Sequence, residues 1–369
     1  MFDLSRELAK RGHKVSILTT DMYKPDERYK IRNPEFIDGV KIIRFKYISD
    51  LLAWKYKIYI SVGMLKFLKN NLKNYDIVHL QDLISPTAIV TMFYCRKYRV
   101  PYVLTSHGSL TVFNENNLLN KLYCKIWGFK ILQNASRVSA FTNDEFEQYK
   151  KLGILENKIH IIPNGIYLSE YANLPKKGNF RNKHSIKEDD PVVLYLGRIH
   201  KSKGLNTLLN AFKLLNEDLT NAKLVIVGPD EGYLQELRNK SIELNLESRV
   251  IFTGPLYDEE KLEVYVDADV HVSPRKAEPF GLTLLESSAC GTPVISMKNC
   301  GISDFVEKVG IVSDYNDKSI NDSIKQILND ERLINEIDVN GIKIVGKFFD
   351  WKNVALKFEN LYREAFTSI

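Results

Sequence analysis

The chain has 369 residues, 44% of them apolar and 27% charged, which is ordinary for a soluble globular protein and long enough for two domains that each bury a core. No apolar run reaches the ~18 residues of a membrane span, and Met1 runs into an amphipathic helix pattern rather than a secretory signal, so a cytoplasmic location is the default. The net charge of +6 divides unevenly: residues 1–170 hold 26 Lys and Arg against 16 Asp and Glu, the rest 26 against 30, so the basic first half suits an anionic surface or acceptor.

The chain opens on a helical stripe of Leu4, Leu8 and Ala9 that stops at Gly12, a good helix terminator. Short β-rich runs follow at Lys14–Thr20, Val40–Lys46, Asp76–Leu80, Pro101–Ser106, Arg137–Thr142 and Lys158–Ile162. The series restarts at Pro191–Gly197, Lys223–Gly228, Arg249–Gly254, Asp269–Pro274 and Pro293–Met297. Segments of helical period lie between them, such as Leu205, Leu208, Leu209, Phe212 and Leu215 on one face. Strands alternating with helices predict two doubly wound α/β domains with parallel sheets. A doubly wound domain normally begins with a strand and a glycine-rich turn; none precedes the first helix here, so a missing first strand is the expectation. The break between the domains is expected at Pro163–Asp190, with Pro163-Asn164-Gly165 as a turn and 166–190 as a linker. The predicted layout is therefore 1–165, 166–190, 191–347 and a final segment, 348–369, whose Trp351–Phe366 stretch reads as a helix.

Two segments carry the chemistry. Glu278-Pro-Phe-Gly-Leu-Thr-Leu-Leu-Glu286 places two carboxylates eight apart across a helix entry, after a strand ending at Ser273-Pro274. Glu286 would lie ~7–8 Å along the axis from Gly281. The first helical N–H groups suit a phosphate or sugar hydroxyls, and a carboxylate one turn deeper suits ribose hydroxyls. The plain alternative is an ordinary helix start with a surface Glu. The second segment, Gly197-Arg198-Ile-His-Lys-Ser-Lys203-Gly204, puts two cations on a loop between a strand and a helix, a disposition that suits a diphosphate. The plain alternative there is two solvated loop cations.

These two segments, with Val227-Gly228-Pro229-Asp230 and Pro163-Asn164-Gly165, resemble glycosyltransferase family 4, the retaining GT-B enzymes, over nearly the whole chain. The resemblance implies two Rossmann-like domains whose sheets face a central cleft, and transfer of a hexose-type sugar from a UDP, GDP or ADP donor to a glycan or lipid-linked acceptor. It implies that Arg198 and Lys203 neutralise the diphosphate, beside Gly197 and Gly228, and that Glu286 binds the ribose. Glu278, with the backbone of Phe280, Gly281 and Leu282, would hold the transferred sugar and the phosphate. His107, in Thr105-Ser106-His107-Gly108, matches the family's histidine that faces the donor sugar. It further implies that Asn164-Gly165 forms a hinge turn and that the last helix crosses back to the first domain. Asp304 stands where many relatives carry Glu, which shortens the arm toward the donor.

The resemblance implies same-face substitution with retention, and that is the expected route over a double displacement, since no carboxylate pair can be placed across the anomeric carbon from sequence. Asp267-Ala-Asp269 looks like the metal-binding pair of the other glycosyltransferase fold, but it opens a strand rather than closing one, so no metal and no cofactor are expected. The four cysteines fit no zinc spacing. Leu51–Lys73, with Lys66, Lys69 and Lys73 on one helical face beside Leu65, Leu68 and Leu72, and Trp54, Tyr56 and Tyr59 ahead of them, reads either as a peripheral anchor on the inner face of an anionic membrane or as a solvated face over a core stripe. Nucleic acid is not an expected partner. The competing functions are a GT-B nucleotide-sugar epimerase and an inactive binding subunit of the same fold. A Rossmann oxidoreductase would need a Gly-x-Gly-x-x-Gly run, which is absent.

Overall fold

Strands form where β-branched residues cluster and helices where apolar residues recur every three or four positions, in a computed structural model that describes residues 2–24, 27–32, 34–56, 59–114, 117–330 and 341–367. The chain divides into two units, Met1–Pro163 with Trp351–Ile369, and Asn164–Asp350.

The first unit begins with α1 (Phe2–Lys10) and β1 (Ser16–Thr20), followed by β2 (Glu35–Ile37), β3 (Val40–Phe45) and α2 (Val62–Asn71). It continues through β4 (Val78–Gln81), α3 (Pro86–Tyr98), β5 (Tyr102–Thr105), α4 (Leu118–Tyr123), α5 (Phe129–Asn134), β6 (Arg137–Ala140), α6 (Asn143–Lys151) and β7 (Ile159–Ile161). Among the described residues, β1 runs parallel to β3, which pairs antiparallel with β2, while β4, β5, β6 and β7 form a four-stranded parallel sheet.

The core of this unit gathers α2, α3 and the four-stranded sheet. The α2 part of the basic segment contributes to this core. Ser61 caps α2 by accepting from the Met64 N–H at 3.4 Å, and Met64, Leu68 and Leu72 point into the core. The α2 part of the stripe beside Lys66, Lys69 and Lys73 thus packs as a core stripe, with Leu65 half-buried at its edge. The side chains of Trp54 and Tyr56 lie outside the described residues.

The second unit carries β8 (Val192–Leu196), α7 (Leu205–Asp218), β9 (Lys223–Val227), α8 (Leu234–Glu243), β10 (Val250–Gly254), α9 (Asp258–Asp267), β11 (Val270–Ser273), α10 (Leu282–Ala289), β12 (Val294–Met297), β13 (Gly310–Ser313) and α11 (Asp317–Asn329). Its six strands are all parallel in the order β10-β9-β8-β11-β12-β13. Leu205, Leu208, Leu209, Phe212 and Leu215 of α7 are all buried in its core. The direction of winding reverses between β8 and β11, and the loops beyond that switch point are where such sheets bind ligands.

Residues 166–190 are a correction to the linker expectation. They belong to the second unit, fastened by a buried Arg181. Its guanidinium donates to the backbone oxygens of Lys187, Glu188, Asp190 and Asp267 and to the Asp269 carboxylate at 2.8 Å. Asp267 in turn accepts from the N–H groups of Gly178 and Arg181, and Asp269 from that of Val192. The two aspartates are thus engaged at the start of β11. The last helix, α12 (Trp351–Thr367), packs on α1 in the first unit, where Glu359 receives Arg11 at 2.6 Å and meets His13 at 2.6 Å.

Candidate active site

The switch point of the second unit is shaped first by glycines. At Gly228 (φ +148°), a Cβ would lie 1.8 Å from the Gly197 carbonyl oxygen, so the turn after β9 presses its backbone on the turn after β8. At Gly204 (φ +74°), a Cβ would lie 2.0 Å from the Pro274 oxygen. The loops that follow β8 and β11 therefore touch backbone to backbone, which only glycine permits.

That contact brings the side chains together. Lys203 Nζ donates to Glu278 Oε2 at 3.0 Å, and Arg275 Nη1 to Glu278 Oε1 at 3.1 Å. The Glu278 backbone is pinned in turn: Ala277–Glu278 pairs with Asn299–Cys300, and its carbonyl accepts from Gly301 N–H at 2.8 Å. These three side chains border a cleft of about 110 Å³, along with Gly197, Gly281 and Leu282. Gly281 is the N-cap of α10 in the left-handed region (φ +87°), so the first turn of α10 opens on the cleft. Two cations share one carboxylate, leaving a unit of positive charge beside a helix N-terminus. A diphosphate is the ligand that such a combination favours.

The remaining sequence candidates fall elsewhere. Arg198 is 57% exposed and held by Glu231 at 2.7 Å, outside the cleft lining. The expected partnership of Arg198 with Lys203 is thus replaced by Arg275 with Lys203. The reason is local: Tyr195 Oη donates to the Arg198 carbonyl at 2.9 Å, and Asp230 caps the turn that presents Glu231 by accepting from Gly232, Tyr233 and Leu234. The Phe280 ring is buried against Phe349, and Phe280 does not line the cleft. Glu286 is one turn into α10, receiving Tyr265 Oη at 2.9 Å and Lys261 at 3.2 Å, and does not line the cleft. Lys261, with Tyr171, borders a second hollow of about 600 Å³ in the same unit. Asp304 is exposed at the start of the short helix Ser303–Val306.

Arg275, Lys261 and Tyr265 escaped the sequence reading. Arg275 follows the strand end Ser273-Pro274 at the switch point, a signal as good as the one that marks Lys203. In the first unit, His107 follows the C-terminal end of β5 in the left-handed region (φ +51°). Its Nε2 is 2.6 Å from Gln81 Oε1 and its ring packs on Phe141. Desolvation lowers its pKa, although the residue reaches the surface. The turn is held from below by buried Glu145, which accepts from Ser106 Oγ, Gly108 N–H and Phe141 N–H.

Comparison with known proteins gives the family. The family model described as Glycosyltransferase Family 4 matches residues 1–170, and that described as Glycosyl transferases group 1 matches residues 176–344. This chain belongs to glycosyltransferase family 4. It is 29% identical over 98% of its length to an uncharacterized glycosyltransferase of Methanocaldococcus jannaschii, covering 92% of that protein. Among solved structures, sucrose-phosphate synthase from Thermosynechococcus elongatus is similar at 25% identity and a TM-score of 0.76, with 99% of this chain and 92% of that one covered. Anabaena HepE in complex with UDP-glucose is similar in fold at 20% identity and a TM-score of 0.72, covering 90% and 87%. The family 4 chain is thus a glycosyltransferase of GT-B fold, with two Rossmann-like domains.

Proposed function

We propose that this enzyme is a retaining hexosyltransferase that takes sugar from a nucleoside diphosphate donor and passes it to a glycan or lipid-linked acceptor. The observation that carries the reading is the meeting of Lys203, Arg275 and Glu278 at the switch point, over the first turn of α10. Departure of the nucleotide leaves charge on the phosphates; fixed cations and a helix N-terminus stabilise it. Lys203 and Glu278 are each largely buried, so their charges act in a poorer dielectric than surface ones. The Arg198–Glu231 pair is exposed and worth at most ~1 kcal/mol, so a bound phosphate can recruit Arg198 at little cost. Glu286, paired with Lys261, is proposed to bind the ribose. His107 is the first unit's candidate to contact the transferred sugar.

We infer no need for a metal: two cations already serve the leaving group, and Asp267 and Asp269 are engaged with Arg181. Transfer should persist in excess chelator, and its loss there would overturn the point. UDP-glucose, the ligand of the similarly folded HepE, is the first donor to try. Proton NMR of the product formed from an α-configured donor should show the α anomer. A β product, or isomerised donor with no acceptor consumed, would contradict the reading.

A further inference from the structure

The first unit carries an apolar ridge that its core does not use. Leu118, Leu119, Leu122, Ile126, Trp127 and Phe129 are exposed, at 80% for Leu118, 75% for Leu119 and 53% for Leu122. They occupy six of the thirteen residues from Leu118 to Lys130, along α4, a π-helical turn at Cys124–Gly128 and α5. Scattered exposed leucines are normal, whereas a contiguous set marks an interaction site. The ridge is firmly placed. Cys124, Gly128, Ile131 and Leu132 form its buried side, and Tyr123 Oη donates to the Leu83 carbonyl at 2.6 Å.

The charges say what covers it. Lys121, Lys125 and Lys130 are interleaved with the apolar residues, and no Asp or Glu occurs from Asn117 to Asn143. Lys130 lies over the Trp127 ring at 5.4 Å. Protein interfaces are depleted of lysine. A lysine-flanked surface of Leu, Trp and Phe instead matches a helix lying in a lipid headgroup region, where lysine stems follow the apolar face and ammonium groups reach the phosphates.

We propose that Leu118–Lys130 is the surface on which this chain lies against an anionic membrane. This moves the anchor from the Leu51–Lys73 segment, where Met64, Leu68 and Leu72 of α2 are buried, to one whose apolar side chains face outward. It rests on the proposed function only in the acceptor it favours, one embedded in or linked to lipid.

The test is co-sedimentation of the full chain with phosphatidylcholine vesicles with or without phosphatidylglycerol. The chain should pellet with the anionic vesicles and be released by salt. Leu119→Glu/Leu122→Glu and, separately, Lys125→Glu/Lys130→Glu should each weaken binding by about tenfold or more, while Lys66→Glu/Lys69→Glu on α2 should leave it unchanged. The second pair guards against misfolding of the first, and retained thermal response to a nucleoside diphosphate reports that the other unit is intact. Wild-type protein left in the supernatant, or both double variants binding as wild type, overturns the proposal. So does a dimer that Leu119→Glu/Leu122→Glu dissociates in a chain that ignores vesicles. None of these outcomes touches the nucleotide response, so failure of the surface and failure of the proposed function are told apart.

Discussion

At the residue scale, the site depends on atoms that are absent. Gly204 and Gly228 leave no room for a Cβ, which would meet a carbonyl oxygen at 2.0 and 1.8 Å. Gly228→Ala should therefore cost more than about 2 kcal/mol, read as a fall in the unfolding midpoint of the second unit. Gly204→Ala should in addition push Lys203 away from Glu278 and weaken nucleotide binding. Thermal unfolding and nucleotide titration of the same variants check both, and wild-type values would contradict the packing. The sequence reading put Gly204 at a helix start and Gly228 among the donor-binding residues, and named Gly197, Lys203, Glu278, Gly281 and Leu282, which all line the cleft. It chose Arg198 and passed over Arg275, although both follow strand ends. Only the turn held by Tyr195 and Asp230 decides which guanidinium reaches Glu278.

Elements show the same division. Most strands of the second unit were legible, since β8, β9, β11 and β12 are almost wholly buried and so carry a nearly undiluted pattern, whereas half-buried β13 was not among the predicted runs. The stretch before β8 was not legible. Its order comes from one buried arginine gripping loop carbonyls, and hydrogen bonds of that kind leave no periodicity. Arg181→Met should take the guanidinium from Asp269 and from four backbone carbonyls and cost about 3–5 kcal/mol, and Arg181→Lys should recover little, because an ammonium cannot replace five directed donors. Chemical denaturation measures both, and a fully rescued lysine variant would argue against the network. The lipid-facing ridge shows the limit from the other side. Periodicity finds amphipathic helices but not whether the apolar face looks inward, and α2 and α4 differ in that respect alone.

For the whole molecule, the titrations set an acid limit. His79, set between Thr105 and Tyr362, and His271, buried in β11, both have pKa values lowered to about 3, chiefly by burial. An unfolded imidazole binds its proton near 6.5. As pH falls below that, the unfolded chain takes up protons the folded one refuses, so stability declines from about pH 6.5 toward 3. Glu359 adds a second loss. Its carboxyl is held down to about 2, first by its hydrogen bond from Arg11, so its contribution is present above 4.5 and goes as pH falls toward 2. Between pH 6.5 and 4.5 the slope belongs to the histidines. Both His271 ring nitrogens lack hydrogen-bond partners among the described residues, so His271→Leu should hold or raise the midpoint and flatten the acid slope of the second unit alone. Calorimetry across pH 7 to 4.5 checks this; an unchanged slope would contradict it.

The central claim is that Lys203 and Arg275 form the diphosphate seat of the second unit. Calorimetric titration of UDP, GDP and ADP against wild type, Lys203→Met and Arg275→Met tests it most directly, with the matching monophosphates as controls. The diphosphate of the preferred base should bind more tightly than its monophosphate, and each substitution should erase most of that advantage, about 1.5–3 kcal/mol for a charge-assisted contact. Diphosphate affinity unchanged in both variants would contradict the claim.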